Sequence, residues 1–490
     1  MIELLLLFLL VPLVVTFVAP LLSPRAASYL TALAFAVPFF GVLYLLFGGV
    51  TADVTLMRFP APVGRLYVFS DAITAVFSLS ICAVSAMVAL YAIPYMEHRF
   101  KEMGLDPRKE FRKYIFIYDL YAVSMLWIVH SGNLLLLYVF LEIMLITAFL
   151  LIYLYGYGNR QWVGLLYFTW CLIAGVLTLV GFLIVASESG TLALDELMHL
   201  HKISTVAWAF IFFGMVIELP GLGPHIWLPW AHAEAPTPVS ALLSPLTVGL
   251  AGYVMLRISL VDPSFFVVYR TPIFAYAALT SIYAGFAVFM QKDFKRLLAY
   301  STISQMGYIL IALCVGGVFG TMGVAIQYMS HAFGKSILFM CAGGLITLYG
   351  LRDVERMGGL HDYVPELSNA AVIGFMNLAG ILTVGMLGEL FILRGAVEAF
   401  GLNLAYILPI VFIFILSGWY GFYTIRKVFY GRPRSELKSK SISGYLYVPL
   451  FVIGVLSVLF LFPPLSSSLV GNLYECVRHL AGVGVGGGAL

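Results

Sequence analysis

Charge is what this chain is poorest in: 27 lysines and arginines and 24 aspartates and glutamates make up 10% of its 490 residues, against 62% hydrophobic residues and a mean hydropathy of +1.01. Soluble chains carry roughly 25% charged residues. So much apolar surface cannot be hidden from water by a protein of this size, so an all-α integral membrane protein folded as a single bundle is expected. A net charge of only +3, with no interleaved basic and aromatic patch, argues against nucleic acid as a partner. Cysteine is equally sparse. Cys82, Cys171, Cys314, Cys341 and Cys476 form no CxxC spacing, whereas zinc and iron–sulfur sites need clustered thiolates. They read as small apolar core residues, and no metal is expected on this chain. No GxGxxG opens a helix, and neither a Walker sequence nor GxSxG occurs. No cofactor and no active site of its own are expected; any redox or nucleotide chemistry would have to sit on a partner.

What the chain has in abundance is apolar runs. About 20 residues at 1.5 Å each cross a hydrocarbon core of roughly 30 Å. Fourteen runs qualify: 2–22, 29–47, 72–93, 114–130, 134–155, 162–186, 204–227, 239–260, 273–290, 297–316, 321–347, 370–393, 404–423 and 445–465. The first carries Glu3 rather than a basic start and is too long for a cleaved signal. Of the 27 lysines and arginines, 19 fall in connections after odd-numbered runs, among them 97–113 and 426–440. The positive-inside rule then places both termini on the non-cytoplasmic side of the cell membrane. Those two basic connections are expected to meet partners or lipid headgroups. The stretch 187–202 is expected at the outer surface, and the Gly-rich tail 482–488 as disordered.

Ionisable residues inside such runs are costly, so each asks for a reason. Asp119, Glu142, Glu218, His225, His331, Lys335 and Glu389 form that short list. A buried hydrogen-bonded group that ties helices together explains one such residue. Residues on at least five helices point instead to an ion path. Lys335 follows His331 by four residues, on one helix face. The seventh run breaks just after Glu218, at Pro220, Gly221, Gly223 and Pro224. Proline removes a backbone donor and clashes with the preceding turn. Irregular backbone at membrane depth is tolerated beside a protein-lined or watery cavity, and transporters build ion sites from such broken helices. The twelfth run carries a milder interruption, with Gly380, Gly385 and Gly388 ahead of Glu389 and no proline. Two interrupted runs five apart suggest two related five-helix units, 113–260 and 270–431, preceded by helices in 1–112 and followed by a last helix and tail in 432–490. His225 and His232 flank the exit from the seventh run, where capping and proton entry are equally good explanations.

Four segments, PHIWLPWAHAEAPTPVSALL, DFKRLLAYSTISQMGY, HAFGKSILFMCAGG and GELFIL, closely resemble the antiporter-like subunits of respiratory complex I, membrane-bound hydrogenase-type complexes and Mrp cation/proton antiporters. The resemblance runs from 71 to 431, nearly three quarters of the chain. It implies fourteen helices with two inverted five-helix repeats, broken helices seven and twelve, and a charged axis at mid-membrane. It also implies half-channels through which protons or Na⁺ move, driven by electron transfer elsewhere in a multi-subunit complex. The expected partners are further antiporter-like membrane subunits and a hydrophilic redox arm. By position, Glu142 matches the family's helix-five glutamate, His331 and Lys335 its central pair, and Glu389 its helix-twelve ionisable residue. Two positions depart: Glu218 stands where the family has lysine, and Gly249 where a second lysine is usual. Two carboxylates in one low-dielectric site share a proton more readily than they both ionise. They also suit a hard cation better than a lysine does. A different relay, a Na⁺ site and a copy that has lost transport all fit. Membership of a stand-alone Na⁺/H⁺ antiporter and a role as a non-pumping structural copy are the alternatives to the redox-coupled assignment.

Overall fold

The computed structural model describes residues 2–432 and 437–484. In hydrocarbon a backbone amide finds no water, so it must bond within its own segment. The apolar runs accordingly fold as helices. Helices α1 (Ile2–Val18) and α2 (Pro24–Phe47) lead into an antiparallel hairpin, β1 (Ala52–Arg58) and β2 (Arg65–Ser70). This hairpin corrects the all-α expectation. Its residues alternate in character and carry Asp53, Arg58 and Arg65, which cannot enter lipid. Arg65 is held by Asp53 and, at 3.0 Å, by Asp195, while the Asn133 amide donates to the Val63 and Arg65 carbonyls.

Next come α3 (Ala72–Glu102), α4 (Pro107–His130), α5 (Leu134–Tyr155), α6 (Arg160–Ser189) and the short α7 (Leu194–Leu200). Asp71 caps α3 by accepting from the Thr74 amide, and Asn133 caps α5 in the same way. Helix α8 (Thr205–Glu218) stops, and the chain resumes as α9 (Trp227–Glu234). Helix α10 (Thr237–Leu242) continues through a π-helical turn at Leu243–Thr247 into α11 (Val248–Val261). The short α12 (Ser264–Val268), then α13 (Arg270–Phe289), α14 (Phe294–Val315) and α15 (Gly317–Tyr349) follow. Helices α16 (Pro365–Leu378) and α17 (Gly385–Phe400) are separated by a second break, before α18 (Leu404–Val428) and α19 (Gly444–Leu459). The tail is no loop as far as it is described: α20 (Leu465–Gly484) buries Leu469, Leu473 and Val477, and Asn472 bonds the Leu46 carbonyl at 2.6 Å, covering the end of α2. Most of the expected disordered stretch, 485–488, lies outside the described residues.

Among the described residues ten helices are long and apolar enough to cross a membrane, and all ten coincide with runs read from the sequence. Nearly every residue of the spans Thr237–Val261 and Phe294–Val315 is buried, whereas most of Leu404–Val428 is not. The centre of the bundle is therefore α3, α10–α11, α14 and α15, with lipid-facing helices around them. The basic connections gather at one end, where Arg352 pairs with Asp293, Lys427 with Glu355, and Arg99 donates to the Tyr155 carbonyl. The hairpin and α20 lie at the other end.

Close packing fixes α6 against α8. A Cβ at Gly214 would overlap the Thr178 hydroxyl and lie 2.7 Å from the Ala174 carbonyl oxygen. Gly214→Val should therefore lower stability by about 1–3 kcal/mol. This would be read as a fall in thermal midpoint that Gly418→Val, in open space on α18, does not show.

Candidate functional site

On α5, part-buried Glu142 presses a carboxylate oxygen against Gly175 of α6, where no side chain would fit, with the Tyr138 hydroxyl beside it. Glu218 ends α8, buried beside the Cys171 thiol and close enough to feel the charge of Glu142. Tyr121 and Tyr167 line the same space. The two acids thus come together, and among the described residues neither Glu142 Oε1 nor Glu218 Oε1 has a hydrogen-bond partner.

The break after Glu218 falls among Pro220, Gly221, Gly223 and Pro224. Gly223 adopts φ = 101°, which a side chain would strain. Freed backbone groups are satisfied by side chains. Trp227 Nε1 donates to the Ile217 carbonyl, Tyr276 to the Leu222 carbonyl, and the Leu222 amide to Thr280. His225 accepts from the Gly223 amide through Nδ1 at 3.1 Å and its ring faces Tyr283 and Tyr300. Its geometry is that of a cap on the break.

The second interruption is complete rather than mild. Residues 379–384 leave the helix without any proline, with Gly380 at φ = 62° and Leu382 at φ = 50°. Hydrogen bonds replace what proline would have enforced: Gln305 donates to the Leu378 carbonyl and Ser330 to that of Asn377, and the Val384 amide donates to the Ser457 carbonyl. Glu389 folds back over Gly380, leaving Oε1 without a partner among the described residues.

Between the breaks, α15 turns Tyr328, His331 and Lys335 to one face at spacings of three and four residues, all fully buried. Lys335 Nζ donates to the Leu298 carbonyl at 2.8 Å and to the Ser301 hydroxyl. Its hydrogen bonds reach no acid. Neither ring nitrogen of His331 meets a partner in good geometry, although the Pro245 carbonyl of the π turn lies beside it. His232, which the sequence left at a helix exit, is buried over Phe339 with both nitrogens unpartnered. It feels the charges of Lys295, Lys335 and His331. Lys295, counted in sequence among the basic connections, is buried and donates to the Ala235 carbonyl. One signal could have found Lys295: it sits two residues past the cap Asp293, inside the first turn of the helix rather than in the connection before it. From this basic group, Gln327 bonds Gln305 at 2.7 Å, Gln305 bonds Tyr420, and Gln327 Oε1 faces Gly388, next to Glu389.

The polar groups that only hold helices together look different. Both Asp119 oxygens accept from Thr31 at 3.0 Å, joining α4 to α2. Asp71 and Arg257 form a two-pronged pair at 2.6 and 2.7 Å. Those groups are paired, whereas Glu142, Glu218, Glu389, His232 and His331 keep free atoms. At 4–8 Å and an effective dielectric near 20, neighbouring charges interact by roughly 2–4 kcal/mol. Such a file can pass a change of charge from one member to the next.

The family described as NADH:quinone oxidoreductase/Mrp antiporter, TM, matches residues 131–417. A Rhizobium meliloti protein named for K(+)/H(+) antiport is 30% identical over 434 residues, 83% of this chain and 42% of its own. The chain spans less than half the length of the curated relatives it matches. Among solved structures, a chain of the Mrp complex from Dietzia sp. superposes with a TM-score of 0.83 at 20% identity, over 97% of this chain and 98% of that one. A chain of respiratory complex I from Thermus thermophilus gives 0.84 at 24% identity, over 98% and 99%. At such identities these two likenesses establish the fold.

Proposed function

The chain belongs to the NADH:quinone oxidoreductase/Mrp antiporter transmembrane family, and on that premise we propose that it is an ion-translocating, antiporter-like subunit of a multi-subunit respiratory membrane complex. Protons or Na⁺ cross through it while electron transfer proceeds in partner subunits, which would carry the iron–sulfur or other redox centres. The observation that carries the proposal is the file of buried, partly unpaired acids, imidazoles and amines beside two broken helices. In this proposal the chain crosses the membrane fourteen times, and 113–260 and 270–431 are inverted five-helix units. The basic end faces the cytoplasm and both termini face away from it. Glu142 and Glu218 hold one proton, or a Na⁺ ion, between them.

A second reading, membership of an antiporter that has no redox arm, is favoured by the name of the Rhizobium meliloti relative. Isolation in mild detergent separates the two: hydrophilic iron–sulfur subunits in the preparation support the first, an all-membrane assembly the second. Glu142→Gln and Glu218→Gln keep size and hydrogen bonding but remove the charge. Each should cut ion flux in proteoliposomes by about 10²-fold. Unchanged flux in both would leave a structural copy as the better description.

A further inference from the structure

Hydroxyls stand on both sides of the gap between the acids around Glu218 and the bases around His331: one pair lies near Glu218, and another hydroxyl is on the His331 face of α15. Tyr121, within electrostatic reach of Glu218, shares a hydrogen bond with Thr247, the last residue of the π turn. Tyr328 is the next hydroxyl, within electrostatic reach of Tyr121 and three residues before His331 on the same face of α15. Its oxygen is buried and has no hydrogen-bond partner among the described residues. A buried polar atom left unpaired costs about 1–3 kcal/mol, so its retention asks for a use.

The ring is held in place by what position 249 lacks. A Cβ on Gly249 would lie 2.5 Å from Tyr328 Cδ2 and 2.7 Å from Cε2. Phe77 stacks on the same ring at a centroid distance of 4.2 Å. Tyr328 therefore occupies the space that any side chain at 249 would take, on the face of α15 that also carries His331.

We propose that the Tyr328 hydroxyl is the proton-carrying link between the Glu218 group and His331, and that Gly249 exists to admit it. The inference rests on the chain being an ion translocator. A proton leaving Glu218 enters the Tyr121–Thr247 pair, which releases one to Tyr328, which releases one to His331. Each oxygen gains one proton and loses one, so no charged hydroxyl accumulates.

The test uses the complete complex in proteoliposomes, with a potassium–valinomycin potential imposed and a pH-sensitive dye inside. Tyr328→Phe keeps the ring against Gly249 and Phe77 and deletes only the oxygen. Proton flux should fall about 10²-fold with subunit content and thermal midpoint unchanged. Tyr328→His, which still carries a proton, should retain more flux than Tyr328→Leu. Gly249→Lys combined with Tyr328→Ala should recover flux that Tyr328→Ala alone lacks, because the amine enters the vacated space. Parental flux in Tyr328→Phe overturns the link. Should that variant not assemble, equal flux in Tyr328→His and Tyr328→Leu overturns it instead. Parental flux in Lys335→Ala as well would remove the translocator reading itself, whereas loss in Lys335→Ala alone leaves that reading standing and places the link elsewhere.

Discussion

Replacing Lys335 with alanine is expected to abolish coupled ion movement while the complex still assembles. The amine lies wholly inside the bundle, held by the Leu298 carbonyl and the Ser301 hydroxyl. Holding a charge there costs several kcal/mol without an acid to offset it, so its removal relieves the fold about as much as the lost packing harms it. The proposed path has no such compensation: Lys335 and His331 are the central members of the file, and His232 feels their charges. Glu389→Gln should act similarly at the other end, because its neutral amide cannot take up a proton. Flux at least about 10²-fold below the parent is expected for each, measured with an internal pH dye and judged against subunit content. Normal flux in both would refute the relay.

The second large effect concerns folding. Arg257 and Asp71 are joined in a buried two-pronged pair, which Thr74 and Tyr253 complete with further hydrogen bonds. Either partner left alone is an uncompensated buried charge, so Arg257→Ala should cost about 3–5 kcal/mol. Asp71→Ala should cost more, because that carboxylate also caps α3. The double variant Asp71→Ala, Arg257→Met should recover part of the loss, since no lone charge remains. Thermal midpoints of the detergent-solubilised protein decide this; strictly additive losses would mean the two residues act independently.

The spans were legible because lipid imposes one rule on every residue of a crossing segment, and apolar length registers it directly. The break after Glu218 was legible because Pro220 and Pro224 forbid helix chemically. The break before Glu389 was underestimated, because it is made by Gln305, Ser330 and Ser457 reaching in from three other helices. No local pattern announces such partners. The hairpin was missed for a related reason: a short polar stretch between two apolar runs reads as a connection, and its strands are fixed by Asn133 and Asp195 far along the chain. His232 and Lys295 became members of the basic group through the return of the chain beside α15, a tertiary fact. Conversely, His225 stood beside the same break as Glu218 in sequence, yet its ring turns to bond the backbone there.

The π turn at Leu243–Thr247 sets the phase of everything that follows it. Such a turn accommodates one residue more than an α-helical one, and each residue of helix advances the azimuth by about 100°. That offset points Thr247 at Tyr121, Gly249 at the ring of Tyr328 and Arg257 at Asp71. Excising one residue there would shorten the rod by only about 1.5 Å, yet swing all three away together. A single backbone irregularity thus acts as the rotational setting that aligns the Tyr121–Thr247 bond, the seat of the Tyr328 ring and the Arg257–Asp71 clamp at once.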